Sequence, residues 1–133
     1  MITIANPEKY RAGLYERLSN ENIEVASGEI VVSKDDELES GSISTQKIFN
    51  ENFCKEKNIF IYDHYTDDGV SGATFNRPDF NRMIQDIENK KINMVIVKDL
   101  SRFGRLSSQI SYYLKEYFIE KGVRFIAVNK ELL

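Results

Sequence analysis

Lys98, Arg102 and Arg105 crowd into one short stretch directly behind the run Asn93–Val97. That run has the length and β-branched content of a buried strand, so three cations gather at one strand end. Arginines three apart share one side of any helical turn. Their planar forks can grip one phosphate through several charge-assisted bonds. Far upstream, Arg17 stands two residues before Ser19, so a cation and a hydroxyl share one face of an extended segment. A hydroxyl nucleophile beside clustered guanidinium groups suits attack on a phosphodiester.

Such a constellation works only if separate elements deliver it to one place, and strand–helix alternation does so. Tyr10–Leu18 reads as a first strand, entered from a turn at Asn6-Pro7. Residues 20–41 are polar, acidic and aperiodic, and read as an insertion with a short strand at Ile30–Val32. Ser42 or Ser44 can cap a helix running to Lys57, with Ile48, Phe49 and Phe53 expected on its inner face. Ile59–Tyr65 is a second strand, followed by a turn-rich stretch from Asp67 to Asn76. Pro78 suits the first turn of a helix through Glu88, striped by Phe80, Met83, Ile84 and Ile87. After the third strand, Ser107–Lys121 is amphipathic and Val123–Val128 is a fourth strand. The pattern specifies an α/β fold: a mostly parallel central sheet with helices on both faces. In such a sheet the loops after the first three strands leave from one edge, where ligands bind.

Composition narrows the function classes. At 133 residues the chain has single-domain length, with 41% hydrophobic and 29% charged residues. No apolar run approaches the roughly 20 residues that span a bilayer. The lone Cys54 excludes a disulfide framework or thiolate cluster and reads as a buried helix residue; the lone His64 gives a histidine metal site little to build on. A reducing, cytoplasmic setting is expected. The net charge of −3 argues against coating nucleic acid broadly, but it is unevenly spread: residues 20–46 sum to −6 and residues 77–105 to +3. Attraction for phosphate is therefore confined to a site. Neither a G-x-G-x-x-G run nor a Walker-type loop is present, which weighs against a doubly wound nucleotide-binding protein.

Four motifs then fall in register: Tyr15-x-Arg17-x-Ser19; Ser42-Ile43-x-x-Gln46; Asp68-Gly69-Val70-Ser71-Gly72 with Arg77 after it; and Lys98-Asp99-Leu100-Ser101-Arg102-Phe103-Gly104-Arg105. Together they resemble the catalytic domain of the serine recombinases, the resolvase, invertase and large serine integrase family. The Asp-Leu-Ser-Arg form, continued by Tyr112-Tyr113 and by Glu120-Lys121-Gly122-Val123-Arg124, is most similar to the large, transposon- and prophage-borne branch.

The resemblance implies that Ser19 attacks a DNA phosphodiester, leaving a 5′-phosphoserine link and a free 3′-hydroxyl, without metal or cofactor. Arg17, Arg77, Arg102 and Arg105 match the family's active-site arginines. Tyr15, Gln46, Asp68, Ser71, Ser101 and Lys98 match supporting positions, Ser101 standing where smaller members carry an aspartate. Ser33 is a rival nucleophile, because Ser33-Lys34-Asp35-Asp36 also looks like the stretch that follows the family's serine. The expected partners are double-stranded DNA and, in a full-length protein, further copies of the chain. Residues 1–133 are expected to form one N-terminal catalytic domain, with residues 20–41 as an acidic loop. The family's DNA-binding region and long dimerisation helix fall outside it, so the isolated domain is expected to be inactive. A catalytically silent remnant, serving only in assembly, is the main alternative. Glu16 lies on the face of the first strand opposite Arg17, and the sequence offers no account of it.

Overall fold

The computed structural model describes residues 2–18, 23–26, 29–32, 42–69, 77–105 and 107–129. In chain order the elements are β1 (Arg11–Leu18), β2 (Ile23–Ala26), β3 (Glu29–Val32), α1 (Ile43–Lys57), β4 (Phe60–Asp68), α2 (Pro78–Glu88), β5 (Met94–Val97) and the single turn α3 (Leu100–Phe103). A rod then runs from α4 (Ser108–Tyr112) through a π-helical turn (Tyr113–Tyr117) into α5 (Phe118–Glu120), and β6 (Arg124–Ala127) follows. Four strands form one sheet in the order β4-β1-β5-β6, every neighbouring pair parallel. Strands β2 and β3 pair with each other as an antiparallel hairpin within the stretch read as aperiodic.

Both faces of the sheet are covered, as buried parallel sheets require. On one face Ala12, Leu14, Met94, Ile96 and Ile126 meet Phe53 and Cys54 of α1. On the other, Tyr15, Tyr65, Val95 and Val97 pack with α2, Phe103 and the α4–α5 rod. The wide π turn brings Tyr113, Tyr117 and Phe118 into mutual ring contact over this face. Tyr117 and Phe118 are buried, as core residues should be. Burial pushes the Cys54 thiol up to about 12, so it is an inert core group.

Two boundaries differ from expectation. The phase of α1 is rotated: Ile48 is 61% exposed, and the buried face is Gln46, Asn50, Phe53 and Cys54. Half of that face is polar because it lies against hydrogen-bonding groups of β1 and not against aliphatic ones. Strand β4 runs on through Asp67 and Asp68, which had read as turn, because it stays paired with β1 as far as Leu18↔Asp68. Gly69, at φ 79°, then turns the chain and donates its N–H to the carbonyl of Leu18 at 2.7 Å.

Candidate active site at the sheet edge

Because β1, β4 and β5 are parallel, their C-terminal ends meet at one edge and deliver Arg17 and Leu18, then Asp67 to Gly69, then Lys98 to Arg105. β1 is the inner strand there, yet its ladder with β5 ends at Leu14↔Ile96 while the ladder with β4 continues. Beyond Leu14 one side of β1 needs other partners. Gln46 supplies them: its Oε1 accepts from the N–H of Arg17 at 3.1 Å and its Nε2 donates to the Arg17 carbonyl at 3.1 Å. Ser42 starts α1 by accepting from the N–H of Thr45, which sets Gln46 one turn into the helix.

The buried Arg17 side chain crosses to α3. Its Nε donates to the carbonyl of Arg102 at 3.2 Å and its Nη2 to that of Ser101 at 2.5 Å. Fully buried Arg77 donates through Nη1 to the next carbonyl, that of Phe103. Two guanidinium groups, one from β1 and one from the N-cap of α2, thus serve three successive carbonyls at the C-terminal end of one helical turn, where unpaired carbonyls favour cations. The turn they hold carries Arg102 and ends just before Arg105. Gly104 makes this closeness possible: a Cβ there would stand 2.8 Å from Arg77 Nη2 and 2.6 Å from Ile110 Cδ1.

Asp67, a buried carboxylate at the end of β4, joins this network through Tyr15. Asp67 accepts from the Tyr15 hydroxyl at 2.8 Å and from the N–H groups of Asp79 (3.0 Å) and Phe80 (2.9 Å). It therefore caps the N-terminus of α2 from a neighbouring strand, a place the Arg77 side chain does not fill. Tyr15 also bonds Arg77. Its hydroxyl is held well above the ordinary tyrosine range, first by burial, with Arg77 opposing and Asp67 reinforcing the shift. Tyr15 is a protonated donor in this network.

The remaining positions are less enclosed. Asp68 is exposed at the last position of β4, and Arg105 is exposed beyond α3. Arg102 is half-buried, and its Nε has no partner among the described residues. Ser101 donates its hydroxyl to the buried Asp99, and no ion pair joins Asp99 to Arg102 among the described residues. Lys98 is buried with its Nζ 5.6 Å from the centre of the Phe49 ring. Ser19, Ser33 and Ser71 lie outside the described residues. Asp67 is the residue that sequence reasoning passed over, reading it as part of a generic turn. Its signal was its place two residues before Gly69, on a strand followed by a helix that opens with Pro78. Among the described residues no group of His, Cys, Asp and Glu could hold a metal ion.

The family model for the resolvase N-terminal domain matches residues 30–132. The chain belongs to that family. The match takes in Gln46, Arg77, Arg102 and Arg105 and begins after Tyr15–Ser19, so it includes Ser33 and not Ser19. The strand preceding Ser33, however, is paired only in the β2–β3 hairpin, whereas the strand preceding Ser19 is the inner strand β1 of the resolvase-like sheet. The fold is that of the N-terminal catalytic domain of TP901-1 integrase, with a TM-score of 0.71 and 29% identity over 90% of this chain and 77% of that one. A resolvase family site-specific recombinase from Streptococcus pneumoniae matches at TM-score 0.63 and 27% identity, over 90% of this chain and 72% of that one. The C-terminal catalytic domain of ISC1926 TnpA, an IS607-like serine recombinase, shares the fold at TM-score 0.68 and 19% identity, over 90% of this chain and 71% of that one. No curated protein matches the chain.

Proposed function

We propose that this resolvase-family chain is the catalytic domain of a site-specific DNA recombinase in which Ser19 is the nucleophile. The Ser19 hydroxyl attacks a backbone phosphorus and forms the serine–phosphate ester as the bond to the 3′ oxygen breaks. The 3′-hydroxyl leaves with a proton, and the reverse attack by a 3′-hydroxyl on the phosphoserine religates the strand. The five-coordinate transition state carries extra negative charge on its oxygens, which permanently charged guanidinium groups stabilise better than any titratable cation.

One observation supports this reading above the others: Arg17 and Arg77 grip successive carbonyls of the turn that carries Arg102 and leads to Arg105, directly beside the strand that leads into Ser19. In this reading the two buried arginines give the site its shape, and Arg102 and Arg105 meet the phosphate. Gln46 and Tyr15 act as supports, Asp68, Ser101 and Lys98 line the same edge, and Ser71 is a support by its motif alone. Double-stranded DNA is the substrate, and strand exchange requires further copies of the chain.

The test is a trap for the covalent intermediate. The protein, carried in its full-length context, is mixed with a nicked substrate that cannot religate, and the adduct is mapped by peptide mass spectrometry. The phosphate is expected on Ser19. Ser19→Ala should abolish the adduct and leave DNA binding nearly intact, because the hydroxyl acts in bond-making and not in the interface. An adduct on Ser33 moves the nucleophile, and no adduct from a folded, DNA-bound protein favours the silent remnant.

A further inference from the structure

We propose that the Glu16–His64 pair is a positioning unit for the active site, holding α1, and with it Gln46, against the Arg17 backbone. The proposal rests on the recombinase reading for its consequence, though not for its geometry. Glu16 adjoins Arg17 in sequence, points to the other face of β1 and is fully buried. A carboxylate there survives only if its oxygens are well partnered. Oε2 accepts from Asn50 Nδ2 at 3.2 Å and lies 2.9 Å from His64 Nδ1, while Oε1 accepts from the Thr66 hydroxyl at 3.1 Å. Glu16 thus ties together β1, the β4 edge and α1.

His64 completes the tie. Its second ring nitrogen, Nε2, lies 2.6 Å from Oε2 of Glu51 on α1. An imidazole between two carboxylates can donate to both only when both nitrogens carry hydrogens, which is the charged form. The hydrogen bond to Glu16, and then the Glu16 and Glu51 charges, hold the His64 pKa above its ordinary value against the opposing effect of burial. The other charged groups facing His64 are Asp63 beside it, whose carboxylate accepts the His64 N–H, and Arg82 of α2, which donates to the His64 carbonyl and pairs with Asp63.

The link to the site runs along α1. Gln46 and Asn50 lie one turn apart on its buried face, where Phe53 and Cys54 supply apolar packing only further along. The N-terminal half of α1 therefore docks through polar bonds: Gln46 to Arg17, Asn50 to Glu16, Glu51 to His64. Loss of the His64 proton removes a donor from one of the two carboxylates and weakens the set. As pH rises through the His64 pKa, the grip of Gln46 on Arg17 should slacken.

The chain has a single histidine, so one pair of imidazole signals reports His64 without ambiguity. The full chain is titrated by NMR while the Gln46 side-chain amide and the Arg17 backbone amide are followed. We expect His64 to titrate above the ordinary value of about 6.5 and both amides to shift with the same midpoint. Amides that stay flat through the His64 titration, or a His64 that titrates at or below the ordinary value, would overturn the proposal. His64→Gln, which keeps a donor and loses the charge, should remove the pH response of both amides in a folded protein. Glu16→Gln should lower the His64 midpoint. In full-length protein, His64→Gln should also slow strand cleavage, by up to about a hundredfold as small misplacements of a catalytic group do, and flatten its pH profile. Coupled amides in a protein that cleaves no DNA in any variant would support the positioning unit and contradict the recombinase reading. Cleavage with uncoupled amides would do the reverse.

Discussion

Gln46 treats Arg17 as a strand would: one side-chain amide accepts from its N–H and donates to its carbonyl, both at 3.1 Å. The bonds fall where β1 has outrun its pairing with β5, so a residue 29 positions away completes the main chain beside the proposed nucleophile. Gln46→Ala leaves two buried backbone groups without these partners. We expect a loss of about 1–3 kcal/mol in denaturant unfolding, and cleavage reduced more than DNA binding.

Asp67 should matter more for stability than the exposed Asp68. Asp67→Ala removes the carboxylate cap of α2 and strands the buried Tyr15 hydroxyl, at a combined cost of about 2–4 kcal/mol. Asp68→Ala should stay within about 0.5 kcal/mol, as exposed substitutions usually do. Parallel thermal melts of the two variants check the difference.

Arg17, Arg77 and Arg105 should separate in the same way. Buried Arg77 and Arg17 hold the α3 carbonyls, so replacing either with alanine should lower both stability and cleavage. Exposed Arg105 is different. Arg105→Ala should leave the melting temperature nearly unchanged and reduce the rate of adduct formation by on the order of a hundredfold or more. Equal melting losses in all three variants would contradict the division into shaping and phosphate-facing arginines.

Gly104 should tolerate no side chain. Its Cβ would meet Ile110 on one side and the Arg77 guanidinium on the other, and neither can retreat without disturbing the core or the grip on Phe103. Gly104→Ala should cost about 1–3 kcal/mol and lower cleavage as well, read by unfolding and adduct assays.

The His64 pair also makes a signed contribution to stability. Because the folded pKa is raised, that contribution is fully present below the ordinary histidine value of about 6.5 and fades as pH rises through the folded value. Unfolding free energies measured across that window should fall with pH in the natural chain relative to His64→Gln.

The positions of the elements were legible in the chain because they rest on local, periodic signals. The β-branched run before Val97 made a strand wherever it packed, Pro78 opened α2, and Ser42 capped α1. Strand–helix alternation then required parallel strands, and parallel strands required Arg17, Asp68 and Arg102 to leave from one edge. The partners of each side chain were not legible, since they depend on register between elements far apart in sequence. Tyr15 and Asp67 are 52 residues apart, and Arg17 reaches a carbonyl 85 residues away. The same limit misled the reading of α1. Apolar spacing favoured Ile48 as an inner residue, but the polar end of β1 drew Gln46 and Asn50 inward and turned Ile48 to solvent. Glu16 had no meaning as a letter beside Arg17. It acquired one only when the sheet brought Thr66 and His64 alongside it and α1 brought Asn50, because a buried charge is explained by its partners and only the tertiary structure selects them.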